Sequence, residues 1–141
     1  MPNKTNDDLL RMAAEYVKAA EDNAAANPTS DLIQVVVVEP MTKPYKKMIQ
    51  NDAAAFNKIV GGYFEIVNIG RTDKGATVAI HLNEEGKLIG LPFNRRIVNF
   101  DILVGTFFIS AYNMQGDNIS LTDLECEKYI KRFAPLEVYV K

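Results

Sequence analysis

The chain is poor in the residues from which many catalytic and metal sites are built. Its 141 residues include one cysteine, one histidine and no tryptophan. A zinc site normally uses several Cys and His ligands, so a chain with one of each is not expected to hold zinc. The lone cysteine, Cys126, cannot form an intramolecular disulfide. We therefore expect a reducing compartment, the cytoplasm.

The motifs of common nucleotide and hydrolase sites are also missing. The sequence contains no G-x-G-x-x-G, no G-x-x-x-x-G-K-[ST] and no G-x-S-x-G. Cys126 and His81 are residue types suited to nucleophilic catalysis, but no motif supports a pair, so we interpret them as a packing residue and a strand residue. Glu84 and Glu85 are adjacent in a turn, where two carboxylates do not face each other. The sequence therefore favours a protein with no catalytic residue, no metal and no cofactor.

Long hydrophobic runs and an excess of positive charge are absent as well. The longest apolar run, Ile102–Ile109, is far shorter than the ~20 residues of a membrane-spanning helix. Asp7 and Asp8 stand where the apolar segment of a signal peptide would begin. The net charge of −2 disfavours nucleic acid as a partner, because nucleic-acid-binding domains are usually basic. We expect neither a membrane nor a nucleic-acid partner.

What is present is the pattern of one small domain that follows a helix. Apolar residues recur at helical spacing over Thr5–Ala26, and Asn27-Pro28 ends that pattern because proline disfavours a helical residue before it. We therefore divide the chain into residues 1–30, an N-terminal helix and linker, and residues 31–141, a single α+β domain.

Alternation and β-branched runs predict the strands of this domain. The predicted strands are Leu32–Glu39, Tyr45–Ile49, a hairpin of Tyr63–Ile69 with Ala76–Leu82, a short strand Lys87–Leu91, a long central strand Asp101–Tyr112 and a closing strand Leu136–Val140. Gly105 inside the long strand indicates a bulge or a close neighbour.

Two helices complete the prediction. One covers Asn51–Val60, with Asn51 as its cap and Gly61 at its end. The other ends at Phe133 and begins with a capping box of Thr122 and Glu125. Because the strands mostly follow one another through turns, we predict a single mostly antiparallel sheet with the helices packed on one face, plus the N-terminal helix.

Five residues are candidates for binding. Asn94, Arg95 and Arg96 form a polar cluster after Pro92, and arginine offers a planar set of donors that suits carboxylate or phosphate. Tyr45 and Tyr63 follow Pro44 and Gly61-Gly62, and tyrosine is favoured at interfaces. Each has a structural alternative. Asn94 can form a turn, an arginine can pair with Asp101 or Glu84, and the tyrosines can pack at the rim of the sheet.

The sequence also resembles a known family over residues 32–133. The segments VVVVEPMTKPY, IVGGYFEIV, HLNEEGKLIGLPFNR, DILVGTFFI and SLTDLECEKYIKRF occur in this order. They are similar to those of a family of phage, plasmid and conjugative-element proteins of Gram-positive bacteria, catalogued as a domain of unknown function (DUF3846). The resemblance implies an accessory role in a mobile element and implies no activity.

Two functions remain open at this point. The first is a non-catalytic protein that binds a host or element protein, with counter-defence as one role, through the face carrying Asn94, Arg95 and Tyr45. The alternative is a protein that binds a small anionic ligand or nucleotide, using Arg95, Arg96 and a stacked tyrosine.

Overall fold

The computed structural model describes residues 31–97 and 102–136. The predicted N-terminal helix, and all of the predicted closing strand except Leu136, lie outside these residues. Within them the chain forms eight strands and two helices, which we number in chain order.

The main sheet has six strands and is antiparallel at every pairing. Its strands run in the spatial order β2, β1, β7, β4 and β3, with the two-residue β8 pairing alongside β7. Their bounds are β1 Leu32–Val38, β2 Tyr45–Gln50, β3 Phe64–Arg71, β4 Thr77–Asn83, β7 Phe107–Tyr112 and β8 Asn118–Ile119. The predicted α+β class and antiparallel sheet are confirmed.

The predicted long strand is divided in two. Ile102–Val104 forms β6, which pairs with β5, Phe93–Arg96, in a separate two-stranded sheet. The break falls at Gly105, whose φ is 72°, a left-handed conformation that glycine adopts without strain. The prediction of one sheet was therefore wrong, whereas the expectation of a close neighbour at Gly105 is confirmed. A Cβ atom there would lie 2.6 Å from Cδ1 of Leu91.

The two helices lie on opposite faces of the main sheet. Helix α1, Ala53–Val60, packs Phe56 and Val60 against a cluster that includes Val37 and Phe108. Helix α2, Asp123–Phe133, contributes to a cluster of the alternate strand residues, among them Val36 and Ile109. Because successive strand residues point to opposite faces, these clusters cannot share a side. The prediction of helices on one face was wrong, since both faces of the central strands are apolar and each requires cover.

Most of the helix ends predicted from local sequence agree with the structure. Gly61 ends α1 with a φ of 79°, and Thr122 and Glu125 form the predicted capping box of α2. The cap of α1 is Asp52, whose side chain accepts a hydrogen bond from the amide of Ala55, so the assignment of Asn51 was wrong by one residue. Asn51 instead donates to Asp31.

The predicted strand Lys87–Leu91 is not a strand. Residues 84–90 form consecutive turns that connect β4 to the small sheet. The amide of Ile89 donates to the carbonyl of Glu85, and the amide of Leu91 donates to that of Gly86. The main chain therefore forms local hydrogen bonds here and not those of a strand pair. Gly90 has a φ of 74°, a left-handed conformation typical of turns.

Candidate functional site

Asn94 lies inside the protein and joins two segments of main chain. Its side chain is fully buried. The amide nitrogen Nδ2 donates to the carbonyl of Val38 at 2.9 Å and to that of Gly105 at 2.8 Å. It therefore satisfies two carbonyls where β1 ends and where the chain breaks between β6 and β7.

Arg95 is also fully buried, and its guanidinium donates to oxygens from three parts of the fold. Nε donates to the carbonyl of Phe133 at 2.9 Å, and one terminal nitrogen donates to that of Thr42 at 2.8 Å. The other donates to the carbonyl and side-chain oxygen of Asn94, at 3.1 and 2.7 Å. A cation at the carbonyl end of α2 is also favourable for the helix dipole. Arg95 thus cross-links the β1–β2 loop, β5 and α2.

The three remaining candidates are exposed. Arg96 is exposed, with its guanidinium carbon 5.9 Å from the centroid of the Phe93 ring. Tyr45 on β2 is 38% exposed, and partial burial, together with the charge of Glu39 and a hydrogen bond to it, raises the pKa of this phenol. Tyr63 precedes β3, at the other edge of the sheet. With four strand spacings of ~4.8 Å between these edges, the tyrosines are roughly 19 Å apart, too far for one small ligand.

Cys126 and His81 are separated by the main sheet. Cys126 belongs to the cluster under α2, and burial raises the pKa of its thiol to about 11. His81 stacks on Phe108 on the α1 side, with ring centroids 4.5 Å apart, and burial lowers its pKa to about 4. A neutral thiol and a neutral imidazole on opposite faces cannot act as a nucleophile and its base.

Three exposed apolar residues lie on the segments next to the end of β4 and the start of β3. Tyr63 is 75% exposed, and Leu88 and Ile89 in the following turn are 87% and 57% exposed. The amide of Glu84 donates to the carbonyl of Tyr63, which connects the start of this turn to the residue before β3. We call Tyr63, Leu88 and Ile89 the docking surface.

Asn83 fixes the main chain on both sides of the docking surface. Its amide nitrogen donates to the carbonyl of Val60 at the end of α1, and its side-chain oxygen accepts from the amide of Glu85. A Cβ atom on Gly62 would lie 2.9 Å from that amide nitrogen. Glycine is therefore needed for the loop before Tyr63 to approach Asn83.

The turn that carries Leu88 and Ile89 also packs closely against the small sheet. A Cβ atom on Gly86 would lie 2.9 Å from a methyl group of Val104, and Leu91 packs on Gly105. The turn thus rests closely on the small sheet while its two apolar side chains point to solvent. This anchoring preorganises the docking surface and lowers the entropy lost on binding.

A second feature is a groove of about 300 Å³ between α2 and the turn after β3. Val78 and Tyr129 line it together with residues of both signs. The lining residues that carry charge are Arg71, Asp73, Glu125, Glu127, Lys128 and Lys131. The carboxylate of Glu125 is engaged by the amide of Thr122. Lys46 and Asp123 form an ion pair, and neither residue lines this groove.

The described residues show neither a metal-binding cluster nor a helix suited to a membrane. Residues 31–97 and 102–136 contain no cluster of three or more His, Cys, Asp or Glu side chains placed to hold a metal ion. No helix in the same ranges combines the length and apolar character needed to cross a membrane.

Sequence reasoning missed Leu88 and Ile89 because it assigned them to a strand. The signal for a turn was available, since Gly86 and Gly90 flank the segment and Pro92 follows it. An apolar pair between glycines is more readily exposed on a turn than buried in a five-residue strand. Of the three residues of the docking surface, only Tyr63 was a candidate predicted from the sequence.

Comparison with known proteins gives one match. A family model described as "Domain of unknown function (DUF3846)" matches residues 33–134. This match confirms the resemblance drawn from the sequence over residues 32–133. No curated protein and no solved structure matches the chain.

Proposed function

This chain belongs to the family of the domain of unknown function DUF3846, and we propose that it is a non-catalytic accessory protein of a phage or mobile element. In this proposal it binds a host or element protein through the docking surface. The mobile-element setting, and counter-defence as a role within it, rest on the sequence resemblance alone.

The observation that carries the proposal is the exposure of three large apolar side chains on rigidly held main chain. Tyr63, Leu88 and Ile89 each expose more than half of their surface. In this proposal the three side chains form one apolar patch, and exposed apolar patches are typical of interaction sites. Side chains this exposed do not enclose a cavity, which favours a protein partner over a small molecule.

Asn94 and Arg95, which the sequence suggests as a binding face, are not part of the docking surface, because both are buried. Both side chains are committed to carbonyls inside the fold, so a partner contact with them would need those hydrogen bonds to break. Their burial supports a role in holding the β1–β2 loop, and with it Tyr45, in place.

Site-specific photo-crosslinking in an element-carrying host tests the proposal. A photoreactive phenylalanine derivative at Leu88 should form a discrete adduct with one protein. The same substitution at Met114 is the control, because Met114 is 91% exposed on the turn at the opposite end of the sheet. Adducts of equal yield and composition at both positions, or none at either, would count against the docking surface.

A small anionic ligand remains a second candidate, favoured by the groove rather than by Arg95 and Arg96. Arg71, Lys128 and Lys131 converge there from β3 and α2. Because carboxylates balance their charge, selectivity for an anion would come from the directed hydrogen bonds of Arg71. A ligand at 100 times its dissociation constant would add ~2.7 kcal/mol to the apparent stability. Thermal shifts with a nucleotide panel, absent in Arg71→Ala, would support this candidate, and a flat panel would remove it.

A further inference from the structure

We propose that the partner of the docking surface is a protein segment whose apolar face is bordered by lysine and arginine. This inference rests on the proposed function and deepens it, because it states the chemistry of the partner. It is carried by three glutamates that lie beside the apolar docking surface and by the scarcity of basic residues there.

Two of the glutamates belong to the turn that carries Leu88 and Ile89. The amide of Glu84 donates to the carbonyl of Tyr63 at 3.0 Å, and the carbonyl of Glu85 accepts from the amide of Ile89 at 3.0 Å. Both glutamate side chains are exposed. The two carboxylates are therefore carried by main chain that is hydrogen-bonded to two of the three apolar residues.

The third glutamate approaches the docking surface from β3. Glu65 is exposed and lies two residues after Tyr63, a separation of at most ~7 Å in an extended chain. It pairs with Leu82, the residue before Asn83 at the end of β4. Glutamates thus flank the docking surface on both of the segments that form it.

These carboxylates are not balanced by neighbouring positive charge. Residues 61–70 and 83–91, which include the docking surface, contain one basic residue, Lys87, and Lys87 already has an interaction within the chain. Between residues that the structure describes, no ion pair involves any of the three glutamates. The docking surface is therefore apolar at its centre and negative at its border.

This distribution of charge selects among protein partners. In an interface, the apolar centre supplies most of the affinity, whereas charges at the border set the association rate and the choice of partner. An acidic border on the partner would face the glutamates and be repelled, and a basic border would be attracted. Nucleic acid is disfavoured for the same reason, since its phosphates are negative.

Three synthetic amphipathic peptides are the probes that test the proposal. They share one pattern of leucines at helical spacing and carry lysine, glutamine or glutamate at the remaining positions. Amide chemical shifts of the isotope-labelled full chain report the affinity and the residues contacted. We expect affinity to decrease from the lysine to the glutamine to the glutamate peptide, with shifts at Tyr63 and residues 84–90. Affinity for the lysine peptide should fall between ~50 and ~500 mM salt, because salt screens exposed charges.

Reversing the three charges should reverse this order. The variant Glu65→Lys/Glu84→Lys/Glu85→Lys should bind the lysine peptide about tenfold more weakly than the wild-type chain does, since three exposed attractions become repulsions. It should bind the glutamate peptide more tightly than the wild-type chain does. The three side chains are exposed, so the variant should fold.

A matched control makes the same change in net charge at exposed acidic residues elsewhere on the chain. It is the variant Asp73→Lys/Asp117→Lys/Glu127→Lys. The control should keep the wild-type order of affinities. An equal effect of both triple variants would mean that the lysine peptide responds only to overall charge, and the proposal would be overturned.

Two further results separate this proposal from the proposed function. Equal binding of all three peptides at the docking surface would overturn the basic partner and leave the docking surface intact. Shifts that survive Leu88→Ser, or no shift with any peptide up to ~1 mM, would contradict the docking surface itself and both proposals with it.

Discussion

Replacing Arg95 with alanine should destabilise the fold far more than replacing its neighbour Arg96. Arg95 is fully buried and donates to the carbonyls of Phe133 and Thr42 and to two oxygens of Asn94. Arg96 is exposed and lies over the Phe93 ring. The two residues share a charge, a strand and a size, so their comparison isolates burial and hydrogen bonding.

The loss of stability can be estimated from the carbonyl oxygens that Arg95→Ala leaves without a donor. A hydrogen bond from a charged group contributes ~1.5–3 kcal/mol, and a buried acceptor without a partner costs ~1–3 kcal/mol. The truncation removes the donor of three main-chain carbonyls and leaves a cavity, although water can enter and offset part of the loss. We expect Arg95→Ala to lower the free energy of unfolding by about 3–5 kcal/mol. Arg96→Ala should cost less than ~1 kcal/mol.

Urea unfolding followed by far-ultraviolet circular dichroism measures both values, and the absence of tryptophan makes this signal preferable to fluorescence. A destabilised Arg95→Ala with unchanged m-value would support the structural role. If Arg95→Ala kept its stability within ~0.5 kcal/mol of wild type, the reasoning from buried hydrogen bonds would be refuted. Arg95 would then again be a candidate for direct contact with a partner.

Three further predictions concern buried groups. The pKa of His81 is lowered from 6.5 to about 4, so the unfolded state binds a proton in a pH range where the folded state does not. The free energy of unfolding should therefore fall by roughly 3 kcal/mol between pH 6.5 and 4. The pH–stability curve of His81→Phe should be flatter by that amount. Gly105→Ala should lower the free energy of unfolding by about 2 kcal/mol more than Gly116→Ala, as measured in urea. Both glycines have a positive φ, but only a Cβ atom at position 105 would meet Leu91. Equal losses of stability would contradict this contact. The Cys126 thiol, buried and with its pKa raised to about 11, should react with a thiol reagent only after unfolding, and fast labelling of the native protein would show that the α2 cluster is open.

The parts of the fold that were predictable are those specified by local chemistry. The β-branched run of β1, the β3–β4 hairpin and the capping box of α2 are each determined by neighbouring residues. The side of the sheet on which each helix packs is not a local property. It follows from both faces of β1 and β7 being apolar, and the sequence showed that pattern without showing which helix covers which face.

The candidate site was harder to predict for the same reason. Arginine and asparagine after a proline are a reasonable surface motif, and nothing local shows that they turn inward. Arg95 is buried because main-chain carbonyls from residues 38 and 53 positions away in sequence meet it, and those contacts exist only in the folded chain. Conversely, Leu88 and Ile89 have the composition of core residues; the flanking glycines indicate a turn, but the exposure of the two side chains, 87% and 57%, is seen only in the folded chain.

If the docking surface binds a protein partner, the affinity for the crosslinked partner should depend on Leu88. Leu88→Glu places a charge where an apolar contact is proposed, whereas Met114→Glu makes the same change at an equally exposed site at the other end of the sheet. We predict that Leu88→Glu weakens binding by at least a hundredfold, about 2.7 kcal/mol, as expected for a residue near the centre of an interface. Met114→Glu should bind like the wild-type protein. Equal affinity of the wild-type protein and both variants would show that the partner does not bind at the docking surface.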